Sequence, residues 1–346
     1  MKLLSLRLQN FRNYTDFVFE PDGLTVLVGK NGVGKTNIIE AIRFLTIFKS
    51  YRSKKQIEVI KWSEDWMRLE GRAKIANKNR TLEMYQDKTQ KVAKIDKVNK
   101  NITQMIGLFR SVLFAPEDLS LVQGAPGLRR KWWDIVLSQK DRKYLKKLVM
   151  YYKVLKNRNH LLLKIFSGLA NQDELDYWDN QLVENGEFLQ KTRRTFTEHF
   201  NKSASHYYHT VSSEQQNLQI NLKIKDISLP LLKERLNFDI KMRATTAGPH
   251  LDDFYFELGG RDLATFGSRG EFRSVILVSK IIEADFLREE NDLPVILLDD
   301  ILSELDQKRR NHLFEMFGEH QVIMTTTDAA GIEEKVRKGA KIVELN

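Results

Sequence analysis

The sequence predicts an α/β head that carries an antiparallel β subdomain and is interrupted by an inserted helical arm. Three observations predict it. Leu24–Val28 is a continuous apolar run that ends in a glycine-rich loop and gives way to helical spacing. Residues 66–98 alternate in short segments separated by polar turns. Between Leu145 and Phe196, apolar residues recur at three- and four-residue spacing, the seam of one helix packed on another.

In chain order, Leu4, Leu6 and Leu8 read as an opening strand with those three on one face, and Phe17 and Phe19 follow a turn at Asn13-Tyr14. Leu24–Val28 reads as a buried strand. Ile38, Ile39, Ile42, Leu45 and Phe48 then place an apolar stripe on a helix over 36–48. Met67–Leu69, Thr81–Tyr85 and Val92–Ile95 read as an antiparallel meander, and Ser111–Phe114 as a short strand stopped by Pro116. The character changes after residues 123–127. Leu145, Leu148, Tyr152, Leu155, Asn159, Leu162 and Phe166 form one helical seam, and Trp178, Leu182, Asn185, Leu189 and Phe196 a second, beyond Ser167-Gly168. Two such helices with a short connection make an antiparallel hairpin. Strands at 253–258, 295–298, 322–326 and 341–345 and helices at 271–287 and 307–317 resume the α/β pattern. The head is therefore expected at 1–122 plus 240–346 and the arm at 123–239. No internal repeat or low-complexity tract is evident.

The 346 residues, 42% of them apolar, suit a globular protein with a well-buried core. No apolar run approaches the roughly 18–20 residues that span a bilayer, so no membrane partner is expected. Arg7 and Gln9 break the N-terminal apolar run, which reads as a strand and not a signal peptide. The absence of cysteine excludes disulfides and Cys-based zinc sites and fits a cytoplasmic location. Lys plus Arg exceed Asp plus Glu by 56 to 46, a formal charge of +10. That excess favours a polyanionic partner, nucleic acid or an anionic membrane face, without choosing between them.

Gly29-Lys30-Asn31-Gly32-Val33-Gly34-Lys35-Thr36 matches the phosphate-loop pattern in full, between a predicted strand and a predicted helix that continues through Asn37. Glycines let the backbone curl so that successive N–H groups face phosphate oxygens, and the helix N-terminus adds about half a positive charge. Lys35 is expected to reach the β- and γ-phosphates of ATP, and the Thr36 hydroxyl to ligate Mg²⁺. Val295–Leu298 runs into Asp299-Asp300, the Walker B pattern. Asp299 is placed to hold the Mg²⁺, and Asp300 to polarise the attacking water. Two acids after a strand often just cap the next helix, but the phosphate loop in the same chain favours the functional reading.

Ser303-Glu304-Leu305-Asp306 begins just after Walker B, the place of an ABC-type D-loop. Phe266-Gly267-Ser268-Arg269-Gly270 sits immediately before a helix, the place of an ABC signature. There Ser268 and the Gly270 amide are positioned to grip a phosphate, although an ordinary helix cap has the same look. In ABC folds the signature completes the site of a second subunit, so a two-fold ATP-dependent homodimer follows. The fold class is thus an α/β, ABC-type P-loop ATPase head.

Asn10-Phe11-Arg12-Asn13-Tyr14, Phe114-Ala-Pro-Glu-Asp118, Gly248-Pro-His-Leu-Asp252-Asp253, the Asp299-Asp300 pair and Thr325-Thr-Thr-Asp328 together resemble the RecF family, over nearly the whole chain. The resemblance implies a bacterial, cytoplasmic ATPase of recombinational repair and replication-fork maintenance, with ATP and Mg²⁺ as cofactors. It implies binding to duplex DNA and to junctions of single and double strands, and work with RecR and RecO in loading RecA. It also implies that Arg12, Asn13 and Asn37 join the nucleotide contacts. One position departs: Glu271 stands where RecF-like signatures usually carry Gln. Its carboxylate is expected near the partner's γ-phosphate, weakening ATP-driven dimerisation.

The remaining features carry plainer readings. His206 and His209 lack any carboxylate or cysteine context for a metal. Trp132-Trp133 and Tyr151-Tyr152 suit helix packing more than base stacking. Arg129, Arg130 and Lys131 are candidate DNA-phosphate contacts at the start of the arm, with Lys140, Arg142, Lys143, Lys146 and Lys147 nearby. Three alternatives stand beside the leading one: a nucleotide-gated scaffold with little turnover, a short-armed ATPase of the SMC or Rad50 kind, and a transporter subunit. A transporter subunit would want a histidine after residues 322–324, where this chain has Thr325–Thr327.

Overall fold

A computed structural model describes residues 1–53, 55–290, 292–304, 306–327 and 334–345. Its strands are β1 Lys2–Phe11, β2 Tyr14–Phe19, β3 Leu24–Val28, β4 Trp66–Ile75, β5 Lys78–Asp87, β6 Lys91–Ile95, β7 Val98–Lys100, β8 Ser111–Phe114, β9 Leu218–Lys223, β10 Asp253–Leu258, β11 Arg261–Asp262, β12 Val295–Leu298, β13 Val322–Thr326 and β14 Lys341–Glu344. The chain divides into two units. The head comprises 1–118, 209–214 and 273–346; the arm comprises 119–208 and 215–272.

The head holds two sheets. One is parallel, in the order β14-β3-β13-β12-β8, and its buried strands are the continuous apolar runs that a sheet covered on both faces requires. The other is antiparallel, in the order β2-β1-β4-β5-β6-β7, and contains the expected meander with longer strands. The helix Lys35–Ile47 contacts β1, β4 and β5 of one sheet and β8, β12 and β13 of the other. It is therefore buried nearly all round, and the single apolar stripe expected from its periodicity understates its environment. Glu40, Arg43 and Thr46 are buried with their polar atoms bonded: Arg43 Nη1 to Ser111 Oγ at 3.0 Å, and Thr46 Oγ1 to the Arg43 carbonyl at 2.7 Å. Bonding of this kind is what makes a buried polar group tolerable.

The opening strand differs from expectation in one respect. The β1–β4 register shifts between Leu3 and Ser5, so Leu3, Leu6 and Leu8 face the core while Leu4 is 40% exposed. One extra residue at a bulge flips every side chain on one side of it.

The arm is built on helices Pro126–Lys140, Arg142–Phe166, Leu175–Ser212 and Leu229–Met242, and on the antiparallel sheet β11-β10-β9. This corrects the boundary expected at 240. Residues 240–272 belong with the arm because β10 pairs with β9 and Phe254 packs on Trp132 and Trp133. The two tryptophans are thus packing groups, and Tyr151 is buried while Tyr152 is exposed.

The long helices run antiparallel. Lys147 pairs with Glu184 and Arg158 with Asp179, so residues rising along one helix meet residues falling along the other. The seam is rotated from the expected one. Tyr144, Tyr151 and Arg158 are buried, whereas Tyr152 and Phe166 are exposed. The reason is ionic, and hydropathy spacing does not register it. Arg158 lies fully inside, bonding Asp179 at 2.6 Å, Asp239 at 2.7 Å and Thr245 Oγ1 at 2.8 Å. Arg193 does the same with Asp134 and Asp252, at 2.9 and 2.8 Å. Such networks are high-stakes, because an unpaired member left buried is strongly destabilising.

Candidate functional site

Gly29–Thr36 joins β3 to the helix Lys35–Ile47. Gly34 holds φ at 113°, and a Cβ there would lie 2.6 Å from Asn13 Nδ2 and 2.7 Å from the Tyr14 hydroxyl. Only glycine tolerates both the angle and the crowding. Gly29 is constrained differently, since a Cβ would meet the Leu345 carbonyl at 2.5 Å. The helix starts with no side-chain cap and no acid in its first turn, which leaves its N-terminal amides and dipole suited to an external anion. Lys30, Asn31 and Gly32 are exposed, and Val33 is half-buried. The Lys35 ammonium is nearly buried and spans the loop, donating to the carbonyls of Gly29 and Lys30 at 2.5 and 2.9 Å.

β12 and β3 are separated in the sheet by β13, yet their loops converge. The Thr36 hydroxyl donates to Asp299 Oδ1 at 2.8 Å. Thr325, at the end of the intervening strand, donates to the same oxygen at 3.0 Å and accepts the Asp300 amide at 2.8 Å. Tyr51 donates to Asp299 Oδ2 at 3.0 Å. Burial, and Asp299 beside it, hold the Tyr51 phenol far above its ordinary pKa, so it is a donor at any physiological pH. Asp300 is exposed and adopts φ of 51°, a left-handed conformation that aims it away from the strand. A hydroxyl and a carboxylate in hydrogen-bond contact beside a phosphate loop are hard oxygen donors, the set Mg²⁺ takes along with nucleotide phosphates and water.

Other expected residues fall into place or are redirected. Asn13 braces the loop, donating to the Val33 carbonyl at 3.0 Å and accepting from Asn37 at 2.9 Å. Arg12 turns away from the loop: its guanidinium is bidentate to buried Glu40, at 2.9 and 2.6 Å, and it also bonds Ser53 Oγ. A buried carboxylate opposite it outcompetes a solvent-facing position, so the expected nucleotide contact of Arg12 becomes a supporting one.

In the signature segment, Ser268 and Glu271 form a reciprocal capping box. The Glu271 amide donates to Ser268 Oγ at 3.2 Å, and the Ser268 amide to the Glu271 carboxylate at 2.6 Å. Ser268 is exposed and Gly270 half-buried. Asp306 caps the helix Gln307–Met316 by accepting from Arg309 N at 2.9 Å. Arg309 also bonds Ser274 Oγ at 2.9 Å. The Ser303 side chain and the whole of Asp328 lie outside the described residues.

Arg129 contradicts its expected role. It is buried, and its guanidinium is bidentate to Asp253 at 2.6 and 2.9 Å, so it has no face to offer a DNA phosphate. Arg130 donates to the Asp252 carbonyl at 2.9 Å and remains half-buried, while Lys131 is exposed. The Gly248–Asp253 motif is likewise internal to the arm, with His250 against the Tyr151 hydroxyl at 2.7 Å and Asp252 against Arg193. Among the described residues no cluster of His, Asp or Glu suits a metal by itself, and no helix is long and apolar enough to cross a membrane.

Two site residues escaped the sequence reading. Thr325 carries a positional signal, the last buried residue of a strand flanking Walker B. Tyr51 carries none, because it lies in an irregular loop.

A phosphate loop and a Walker B carboxylate meeting on a parallel sheet, flanked by an antiparallel sheet and carrying a signature and a D-loop segment, define an ABC-type P-loop ATPase head. The family described as the RecF/RecN/SMC N-terminal domain matches residues 2–344. The DNA replication and repair protein RecF of Bacillus cytotoxicus is 35% identical across the full chain and 97% of its own length, and that of Bacillus mycoides is equally similar. A solved structure of the recombination mediator protein RecF with ATP superposes with a TM-score of 0.89 at 31% identity, covering 96% of this chain and 93% of that one. An Smc head bound to the C-terminal winged-helix domain of ScpA shares the fold at 14% identity and a TM-score of 0.56. The chain belongs to the RecF family.

Proposed function

We propose that the chain is a Mg²⁺-dependent ATPase of recombinational DNA repair that binds DNA as an ATP-dependent homodimer in the cytoplasm. The observation that carries the reading is the 2.8 Å contact between Thr36 and Asp299, which joins the two phosphate-site motifs. Mg²⁺, when bound, would neutralise charge on the terminal phosphates. Thr36 and Asp299 are the residues to hold it. The loop amides and Lys35 bind and orient the phosphates, at the uncapped helix terminus. Asp300, one residue beyond the metal carboxylate, accepts the proton of the attacking water.

Ser268 and Gly270 serve the nucleotide of a second copy. Relatives named for the RecFOR pathway support RecR and RecO as partners and RecA loading as the outcome. Duplex DNA and single/double-strand junctions are the proposed substrates, held through phosphates by exposed cations of the arm such as Lys131, Arg142 and Lys146. Sedimentation with ATP, ADP or no nucleotide, each with and without duplex DNA, tests this. A dimer formed only with ATP is expected, and Ser268→Arg should abolish it without weakening ATP binding by the monomer. DNA affinity should fall log-linearly with salt, by about 0.9 per phosphate neutralised. Nucleotide-independent sedimentation and salt-insensitive binding would sink the proposal.

One observation favours a scaffold with little turnover as the second reading. Glu271 sets its own negative charge on the signature amide of Ser268, where a phosphate is to dock. Glu271→Gln keeps the capping box and removes the charge, so on this reading it tightens the ATP dimer and speeds hydrolysis.

A further inference from the structure

Loop 50–53 is held by a buried ionic hub that serves no purpose in the phosphate loop itself. Glu40 is fully buried, five residues beyond Lys35 on the same helix. It accepts both arms of Arg12, from the β1–β2 turn, and the Ser50 hydroxyl at 2.5 Å. Ser50 Oγ in turn accepts the amides of Arg52 and Ser53 at 3.0 and 2.8 Å, and Ser53 Oγ takes a bond from Arg12 at 2.6 Å. A short irregular segment is thus tied at three points, although loops of this kind are ordinarily mobile. The one side chain between those ties is Tyr51, and its hydroxyl lies 3.0 Å from Asp299 Oδ2. Asp299 Oδ1 is already engaged by Thr36 and Thr325.

Resting on the proposed Mg²⁺ site, we infer that Tyr51 is a positioning residue that locks the Asp299 carboxylate edge-on, so that it offers a single oxygen toward the metal and favours Mg²⁺ over larger cations. Mg²⁺ demands near-octahedral geometry at 2.0–2.1 Å, whereas Ca²⁺ accepts 6–8 oxygens at 2.3–2.6 Å and readily takes a carboxylate through both. A carboxylate pinned at Oδ2 by a buried phenol cannot rotate to present both oxygens. Released, it loses its fixed aim at the small ion and gains a bidentate mode for the large one. Outer partners of this kind alter metal affinity by roughly 10–100-fold.

The test is the cation dependence of ADP binding by the full chain, measured by calorimetry with Mg²⁺ or Ca²⁺ as the only divalent ion. In Tyr51→Phe the half-saturating Mg²⁺ concentration should rise about tenfold while that for Ca²⁺ changes less than about twofold. Ser50→Ala, which leaves the phenol in place but cuts a tie of its loop, should move the same ratio in the same direction by a smaller factor. Equal losses with both ions, or no change in either, overturn the inference. If the unmodified chain binds ADP with neither ion, the site reading itself falls, and the role of Tyr51 falls with it.

Discussion

Thr325→Val is the sharpest probe of the site, because it removes one oxygen and almost no volume. The Thr325 hydroxyl is 1% exposed, donates to Asp299 at 3.0 Å and accepts the Asp300 amide at 2.8 Å. Valine preserves the β-branched shape and suits a strand, so packing is kept and only polar bonding is lost. A hydrogen bond to a charged acceptor is worth about 1.5–3 kcal/mol, and an orphaned amide costs about 1–3 kcal/mol. Asp300 is exposed, so water recovers much of the second loss. The expected destabilisation is therefore about 2–3 kcal/mol, read as a lower urea midpoint at unchanged slope. The functional effect follows from Asp300, whose left-handed φ of 51° carries a strain that the amide bond to Thr325 helps to hold. ATP binding should survive within a fewfold, since Lys35 and the loop are untouched, while turnover falls by about tenfold or more. A variant with wild-type stability and wild-type turnover would refute the claim that Thr325 couples the two Walker B acids.

Lys35→Ala should eliminate measurable ATP binding by calorimetry, because it removes the one cation the loop folds around. Arg158→Met should destabilise the arm by about 3–5 kcal/mol in chemical denaturation, since it strands Asp179 and fully buried Asp239 without their cation. Restoring neutrality with Asp239→Asn in the same chain should recover part of that loss. Lys91 is pushed down to about 8, by burial first and by Lys49 second. Between pH 8 and the ordinary lysine range the unfolded chain therefore binds more protons, and stability rises with pH. Lys91→Met should flatten that slope, measured as urea midpoints from pH 7.5 to 10.5.

Much of the head was legible because its signals are local. β3, β8, β12 and β13 begin and end where their apolar runs do, since a strand buried on both faces must be apolar along its whole length. The phosphate loop was legible for a similar reason: glycines at 29, 32 and 34 with Lys35 and Thr36 encode a backbone path, and nothing distant is needed to recognise it. The bulge at Leu3–Ser5 was not legible, because pairing with β4 decides where the extra residue goes. Nor was the seam of the arm, where a buried arginine displaces the apolar face that hydropathy predicts.

By itself the sequence determined that a phosphate loop, a Walker B strand and a signature-like helix start share one chain, and that a helical hairpin divides them. Only the tertiary structure decided which side chains those motifs meet. Asp299 is separated from Thr36 by 263 positions and from Tyr51 by 248, and no periodicity links residues at such range. Arg12 and Arg129 show the same point from the other direction. Both read as exposed cations ready for phosphate, and both are claimed by carboxylates, Glu40 and Asp253, that the fold brings alongside. The charge a residue carries is written in its identity, but whether that charge faces solvent, a ligand or a buried counter-ion depends on neighbours that only folding supplies.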